Sequence, residues 1–326
     1  MSYLSRPSSL KSPNPQPFYR SSESKYFRQF RQYNQAMETN KPNGPTVVSV
    51  INLKGGVGKT TVVNLLARHA VTSHRLNVLA VDLDPQANLS QALMLESGYK
   101  QFMDGREPSI VELFNEFTPS SGENPGPTEL KTEDVVKPVS RSPRGGSLEI
   151  IPSRFDFSDN LINSIRVDER ILAKFISREM QQKDLILIDC APTESILTRT
   201  TYHASRYVFI PVRTEFFSTI GFPLLKKSLD DFQSANHGHT LEVKGVIINR
   251  SRTSGTPPGP HHEESTEEIE TLAKEYAWPV LEKCMYHSDG YSKLMKDPYG
   301  PYMGNAPREF SFVADEILQS LGFSKP

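Results

Sequence analysis

A doubly wound, mostly parallel α/β sheet flanked by helices is the fold this sequence predicts. Three observations carry that reading. Short apolar runs rich in β-branched residues recur along the chain, at Val47–Ile51, Val78–Leu83, Leu185–Ile188, Tyr207–Val212 and Gly245–Ile248. Longer stretches with helical spacing separate them, the alternation that joins parallel strands through crossover helices. Two of the runs end in carboxylates, Asp82 and Asp189, where an open sheet of this kind forms its ligand crevice.

Composition sets the bounds. With 326 residues, 37% of them hydrophobic, the chain can bury a large core. Length alone permits two domains, but α/β sheets often run this long as one, so a single domain over 46–326 is expected. The two cysteines, Cys190 and Cys284, lie far apart and form no C-x-x-C pair, which fits a reducing cytoplasm and not a disulfide framework. No apolar run approaches transmembrane length, and no signal-type apolar region follows the start. A formal net charge of -1 provides no global basic field for nucleic acid.

Residues 1–45 read as a polar arm. Pro7, Pro13, Pro15 and Pro17 lie among serines, with Arg6, Lys11 and Arg20 and no acid before Glu23, a composition that predicts disorder. The missing acids also suit a transit peptide, but clustered prolines make a poor amphipathic helix. Farther on, Tyr26, Phe30, Tyr33 and Met37 share one helical face with Lys25, Arg28 and Arg31 beside it. A short helix packing that stripe on the main domain or a partner subunit is favoured over a nucleic-acid or membrane contact.

The run Val47–Ile51 leads into Lys54-Gly55-Gly56-Val57-Gly58-Lys59-Thr60-Thr61, and helical spacing begins at Val62. Strand, glycine-rich turn and helix form the context of a phosphate-binding loop. Glycines let backbone N–H groups close around phosphate oxygens, and the helix N-terminus adds its dipole. Lys59 would reach the β- and γ-phosphates, and the Thr60 hydroxyl would complete a Mg²⁺ shell, so ATP and Mg²⁺ are the expected ligands. The ordinary loop has a glycine where this chain has Leu53, and a second lysine, Lys54, stands at the loop's start. A glycine-rich turn with two solvated lysines is the bland alternative, and the other spaced features count against it.

The next strand ends in Asp82 and Asp84 and runs into Pro85; ordinary helix-capping carboxylates would look similar. Thr118–Ser147, dominated by Pro, Gly and Ser, predicts a flexible surface loop between a helix near Ile110–Phe117 and a strand Leu148–Pro152. Leu185–Asp189 reads as a central strand buried on both faces, and a carboxylate at its C-terminal end can hold Mg²⁺ through water. Tyr207–Val212 and Gly245–Arg250 are further strands, the second ending in Asn249 and Arg250. Residues 251–262 form another expected flexible loop. Its His261-His262 pair has no third ligand at useful spacing, so solvated histidines are the better reading. Arg308–Gly322 predicts a docked surface helix, because Asp315 and Glu316 interrupt the pattern a membrane helix would need.

The lysine-first loop resembles the deviant Walker A motif of the ParA/MinD-type ATPases, within the P-loop NTPases. The segment Asp82-Leu83-Asp84-Pro85-Gln86 is similar to that family's first switch, and Asp189-Cys190-Ala191-Pro192 to its second, with Ala191 where the family usually has proline. Pro211, Glu215, Ser218 and Gly221 fall at the family's usual spacing. The resemblance runs from about residue 46 to 321. It implies that Asp84 positions the attacking water and contributes to the Mg²⁺ site with Thr60 and Asp189. It implies that Pro211 and Asn249 lie against the nucleotide base, and that Lys54 reaches across a homodimer to the partner's ATP.

The closest branch is that of ParA-like partition ATPases. Membership implies a cytoplasmic, nucleoid-associated switch that dimerises on ATP and binds DNA non-specifically. A ParB-like or other cargo adaptor would then stimulate slow hydrolysis. Arg199, Arg213, Lys226, Lys227 and Arg250 are the candidate DNA contacts, against the plainer reading of solvated surface charge. A MinD-type membrane-positioning ATPase is the alternative and would have to use the Tyr26–Met37 arm. An iron–sulfur carrier like the nitrogenase iron protein needs paired cysteines and ranks lower. A dethiobiotin-synthetase relative is disfavoured by Lys54 and the Asp84-Pro85-Gln86 segment.

Overall fold

The computed structural model describes residues 44–116, 130–155, 168–214, 221–250, 260–286, 291 and 305–326. Its strands are β1 (Thr46–Val50), β2 (Asn77–Leu83), β3 (Lys137–Arg141), β4 (Ser147–Ile151), β5 (Leu185–Cys190), β6 (Tyr207–Arg213), β7 (Glu242–Arg250) and β8 (Met285–Tyr286). Its helices are α1 (Lys59–His74), α2 (Asn88–Asp104), α3 (Ile110–Glu116), α4 (Thr132–Val135), α5 (Ile171–Glu179), α6 (Ile196–Ala204), α7 (Gly221–Ala235), α8 (Pro260–Glu275) and α9 (Asn305–Ser320).

The strands form one sheet in the order β3-β4-β2-β5-β1-β6-β7-β8, parallel throughout except where β3 meets β4. From β1 the chain crosses past β5 to β2, and from β5 it crosses past β1 to β6. The connections therefore diverge around the β1–β5 pair, which is where doubly wound sheets open a crevice at their C-terminal edge.

Alternation along the strands divides the core. Val48, Val50, Val78, Ala80, Leu185 and Leu187 pack on the α1 side. Leu79, Val81, Leu83, Ile186 and Ile188 face α3, α5 and α6. This is the period-2 geometry of a strand with both faces covered. Helix α1 buries Val62, Val63, Leu65, Leu66, Ala67, Ala70 and Val71, nearly its whole circumference. Each large apolar side chain so buried contributes about 1.5–3 kcal/mol. On its outer side α9 packs with Phe310, Val313, Ala314, Ile317 and Leu318, all buried.

The expected loop over 118–147 is only partly a loop. Residues 130–147 hold α4, the edge strand β3 and a tight turn into β4. The Pro, Gly and Ser content of this stretch reads as irregular, yet an edge strand tolerates a proline such as Pro138, and the register shifts just there. The turn needs Gly146, whose φ is +90° and whose Cβ would lie 2.7 Å from the Leu76 carbonyl oxygen. The arm helix near residues 22–37 and most of the 251–262 loop lie outside the described residues, but α8 already begins at Pro260. No helix among the described residues is long and apolar enough to cross a membrane.

Candidate functional site

The loop between β1 and α1 is shaped by two glycines and two asparagines. Gly56 and Gly58 take φ of +73° and +103°, which side chains other than glycine rarely adopt. At Gly58 a Cβ would lie 2.9 Å from the Asn249 side-chain nitrogen. That nitrogen donates to the Val57 carbonyl at 3.0 Å, so Asn249 props the loop from the end of β7. Asn52 is the second prop. Its amide nitrogen donates to the Pro211 carbonyl at 2.9 Å, while its oxygen accepts the Lys54 N–H at 2.9 Å. The base-side residues expected from the sequence, Pro211 and Asn249, thus meet the loop through hydrogen bonds. Asn52 carried no motif; its one signal was a polar residue directly after a buried strand.

Lys59 is buried, and its ammonium donates to the backbone oxygens of Asn52 at 2.9 Å and Lys54 at 3.0 Å. Burial lowers its pKa, opposed by the nearby charge of Asp189. Lys54 is half-buried at the loop's start, and Gly55 is exposed beside it. Thr60 opens α1 with its hydroxyl donating to Asp189 Oδ2 at 2.6 Å, and Thr61 follows, partly exposed.

Three carboxylates converge below the loop. Asp82 and Asp189 are register partners on β2 and β5, both fully buried. Asp82 accepts the Asp84 N–H at 3.1 Å and the Ser90 N–H and hydroxyl at 2.8 and 2.7 Å. Ser90 in turn accepts the Ser153 N–H at 2.8 Å. Asp82 therefore fastens the turn that carries Asp84, a holding role that the sequence left open. Burial pushes Asp82 up to about 7, and burial together with the Asp82 charge pushes Asp189 well above the usual carboxylate range. Asp189 Oδ1 is buried with no hydrogen-bond partner among the described residues. An orphaned carboxylate oxygen beside a threonine hydroxyl, with Asp84 at the neighbouring strand end, is a hard-oxygen donor set that fits Mg²⁺.

A family model described as AAA domain matches residues 45–243, well over half of the chain. The chromosome-partitioning ATPase Soj of Treponema pallidum is 32% identical over 201 residues, covering 61% of this chain and 68% of Soj. The chain belongs to the ParA-like partition ATPases. Solved structures show the same fold. An ATP complex of Cyanothece McdA superposes with a TM-score of 0.69 at 18% identity, over 87% of this chain and 98% of McdA. Cobyrinic acid a,c-diamide synthase from Mycobacterium smegmatis, with an ATP analogue and magnesium, gives 0.64 at 20% identity, over 86% and 98%.

Two of the candidate DNA contacts of this ParA-like chain are paired with acids. Arg199 pairs with Glu169 at 3.3 Å, and Lys226 donates to both oxygens of Asp230. Lys227 is exposed, and with Arg199 it lines a groove of about 540 Å³ that also presents Glu169, Glu194 and Asp231. Arg213 ends β6 opposite Asn249, and Arg250 ends β7, its side chain outside the described part. Glu215 and Ser218 also fall outside the described residues. Cys190 lies buried against the Thr198 and Thr201 hydroxyls, and burial pushes its thiol up to about 11.

Proposed function

We propose that this ParA-like chain is a Mg²⁺-dependent ATPase that closes into a homodimer on binding ATP. In that state it binds DNA without sequence preference, in the cytoplasm and on the nucleoid. A ParB-like or other cargo adaptor stimulates hydrolysis and releases it. The observation that carries the reading is Lys54. The loop already has its own phosphate lysine in Lys59 and its own threonine in Thr60, so a second lysine at the loop's start suits a contact to a neighbouring subunit's nucleotide, much as an arginine finger acts.

Lys59 would exchange its two carbonyl contacts for phosphate oxygens, and the loop N–H groups at the α1 terminus would take the rest of the charge. Thr60, Asp189 and Asp84 would hold Mg²⁺, which supplies charge neutralisation for the phosphates. Asp84, held by Asp82, would orient the attacking water. The ATP and ATP-analogue complexes of the two fold neighbours support nucleotide in this crevice.

The test is binding of a random-sequence duplex with ATP, with ADP and without nucleotide, each at two salt concentrations. ATP-dependent binding that weakens steeply with salt is expected, because phosphate contacts release counterions. Lys54→Ala should keep ATP binding and lose both dimerisation and DNA binding. DNA binding that ignores the nucleotide would sink the switch.

A further inference from the structure

The far end of α1 carries a cluster that nucleotide chemistry does not use. His69 and His74, in the last turns of α1, both aim Nε2 at one carboxylate oxygen of Asp315 on α9. The distances are 2.7 and 3.2 Å. One donor atom from each of the three residues lies within 4.8 Å of the other two. His74 is buried, while His69 and Asp315 keep 13% and 20% of their side chains exposed, so the cluster opens to solvent on one side. Lys325 stands on that side, donating to the other Asp315 oxygen at 2.6 Å.

Two tautomers are open to His74. If His74 donates from Nε2 to Asp315, its Nδ1 becomes a bare acceptor, and that atom is buried with no partner among the described residues. If Nδ1 holds the proton, the Nε2 lone pair can ligate a cation placed between it and the carboxylate oxygen, and Nδ1–H is then the buried group without a partner among the described residues. At His69, Nδ1 lies 3.4 Å from the Ser73 hydroxyl, which can donate to Nδ1 or accept from it, so the ring keeps an outer partner in either tautomer, including the one whose Nε2 lone pair is free for a cation.

We propose that His69, His74 and Asp315 are the three protein ligands of a zinc-class divalent cation, with solvent at the fourth position. Two imidazoles and a carboxylate are a donor set for zinc rather than for magnesium. Ligand atoms about 2.0–2.1 Å from a tetrahedral ion lie roughly 3.3 Å apart. The 3.2 Å contact already has that spacing, and the 2.7 Å contact must open by about half an ångström. Lys325 competes for Asp315, but its side chain is 54% exposed, and so exposed an ion pair yields readily. The bound ion would join α9 to the helix whose other end forms the phosphate loop.

The full-length chain, stripped with a chelator and held in excess Mg²⁺, is titrated with Zn²⁺ against a chromophoric competitor and separately with Co²⁺. One tight equivalent and the strong visible bands of tetrahedral cobalt are expected. Both should persist when the adjacent pair is removed by His261→Gln with His262→Gln. Both should vanish in His69→Gln and in Asp315→Asn, whose residues are partly exposed and whose folding is checked by thermal melting with Mg-ATP. Lys325→Ala, which removes the competitor, should tighten binding severalfold. A tight equivalent that survives His69→Gln, weak six-coordinate cobalt, or no wild-type equivalent overturns the site. If both ligand variants fail to fold, unchanged affinity in Lys325→Ala overturns it.

Discussion

The two ends of α1 are built on opposite plans. At its N-terminus the contacts that shape the loop come from neighbours within a few residues or from the ends of strands in the same sheet: Lys59 to Asn52 and Lys54, Thr60 to Asp189, Asn249 to Val57. At its C-terminus, His69 and His74 depend on Asp315, more than two hundred positions away. One end is set up to admit an anion and stay open; the other is closed by a helix laid across it. A single rigid element therefore serves chemistry at one end and assembly of the fold at the other, and damage should separate cleanly between them.

The largest effects should come from the loop end. Lys59→Ala should abolish measurable ATP binding by calorimetry, since it removes the charge the phosphates need. Asp84→Ala should keep ATP affinity and dimerisation while hydrolysis falls on the order of 100-fold or more, the scale for losing one positioned polar group. Normal single-turnover rates in that variant would remove Asp84 from the mechanism. Gly58→Ala tests the loop's shape. A side chain at φ +103° pressing on Asn249 should cost about 1–3 kcal/mol and weaken nucleotide binding without touching the histidine end.

The distal end should respond in stability alone. Asp315→Ala leaves two histidines facing a void, so a loss of about 1–3 kcal/mol in urea unfolding is expected with ATP affinity unchanged. Reduced ATP affinity would mean the two ends are coupled. The broadest effect is from pH. Burial, Arg170 and His239 depress the His203 pKa to about 4. The folded protein keeps this histidine neutral while the unfolded chain takes up a proton below about 6.5, so stability falls as pH drops from about 6.5 to about 4 and levels off below that. The change is at most about 3 kcal/mol. His203→Asn should flatten that slope in urea midpoints measured at pH 7 and pH 5.

What could be read in the sequence follows the same division. The phosphate loop, the strand ends at Asp82 and Asp189 and the parallel sheet are local patterns, and local patterns are visible in a single chain. Strand β3 was not, because Pro138 resembles a loop signal until its edge position is known. Asn52 and the Asp82–Ser90 clasp belong to no repeat or spacing rule. The histidine cluster was invisible for a plainer reason: attention goes to His261-His262, adjacent in sequence, whereas His69 and Asp315 become neighbours only after folding. Asp315 and Glu316 looked like defects in an apolar pattern. In the structure Asp315 meets the histidines, and Glu316 caps the N–H groups of Glu282 and Lys283 at 2.7 and 2.9 Å.

Lys59 is not a bare charge waiting for a ligand. Its ammonium already holds two backbone oxygens, so an incoming anion has to win a competition, not fill a gap. Chloride or a lone carboxylate presents too little charge and too few oxygens to displace both carbonyls at once. A triphosphate presents enough of each. The resting loop is thus held shut by bonds of its own, and an incoming ligand has to offer oxygens enough to replace them.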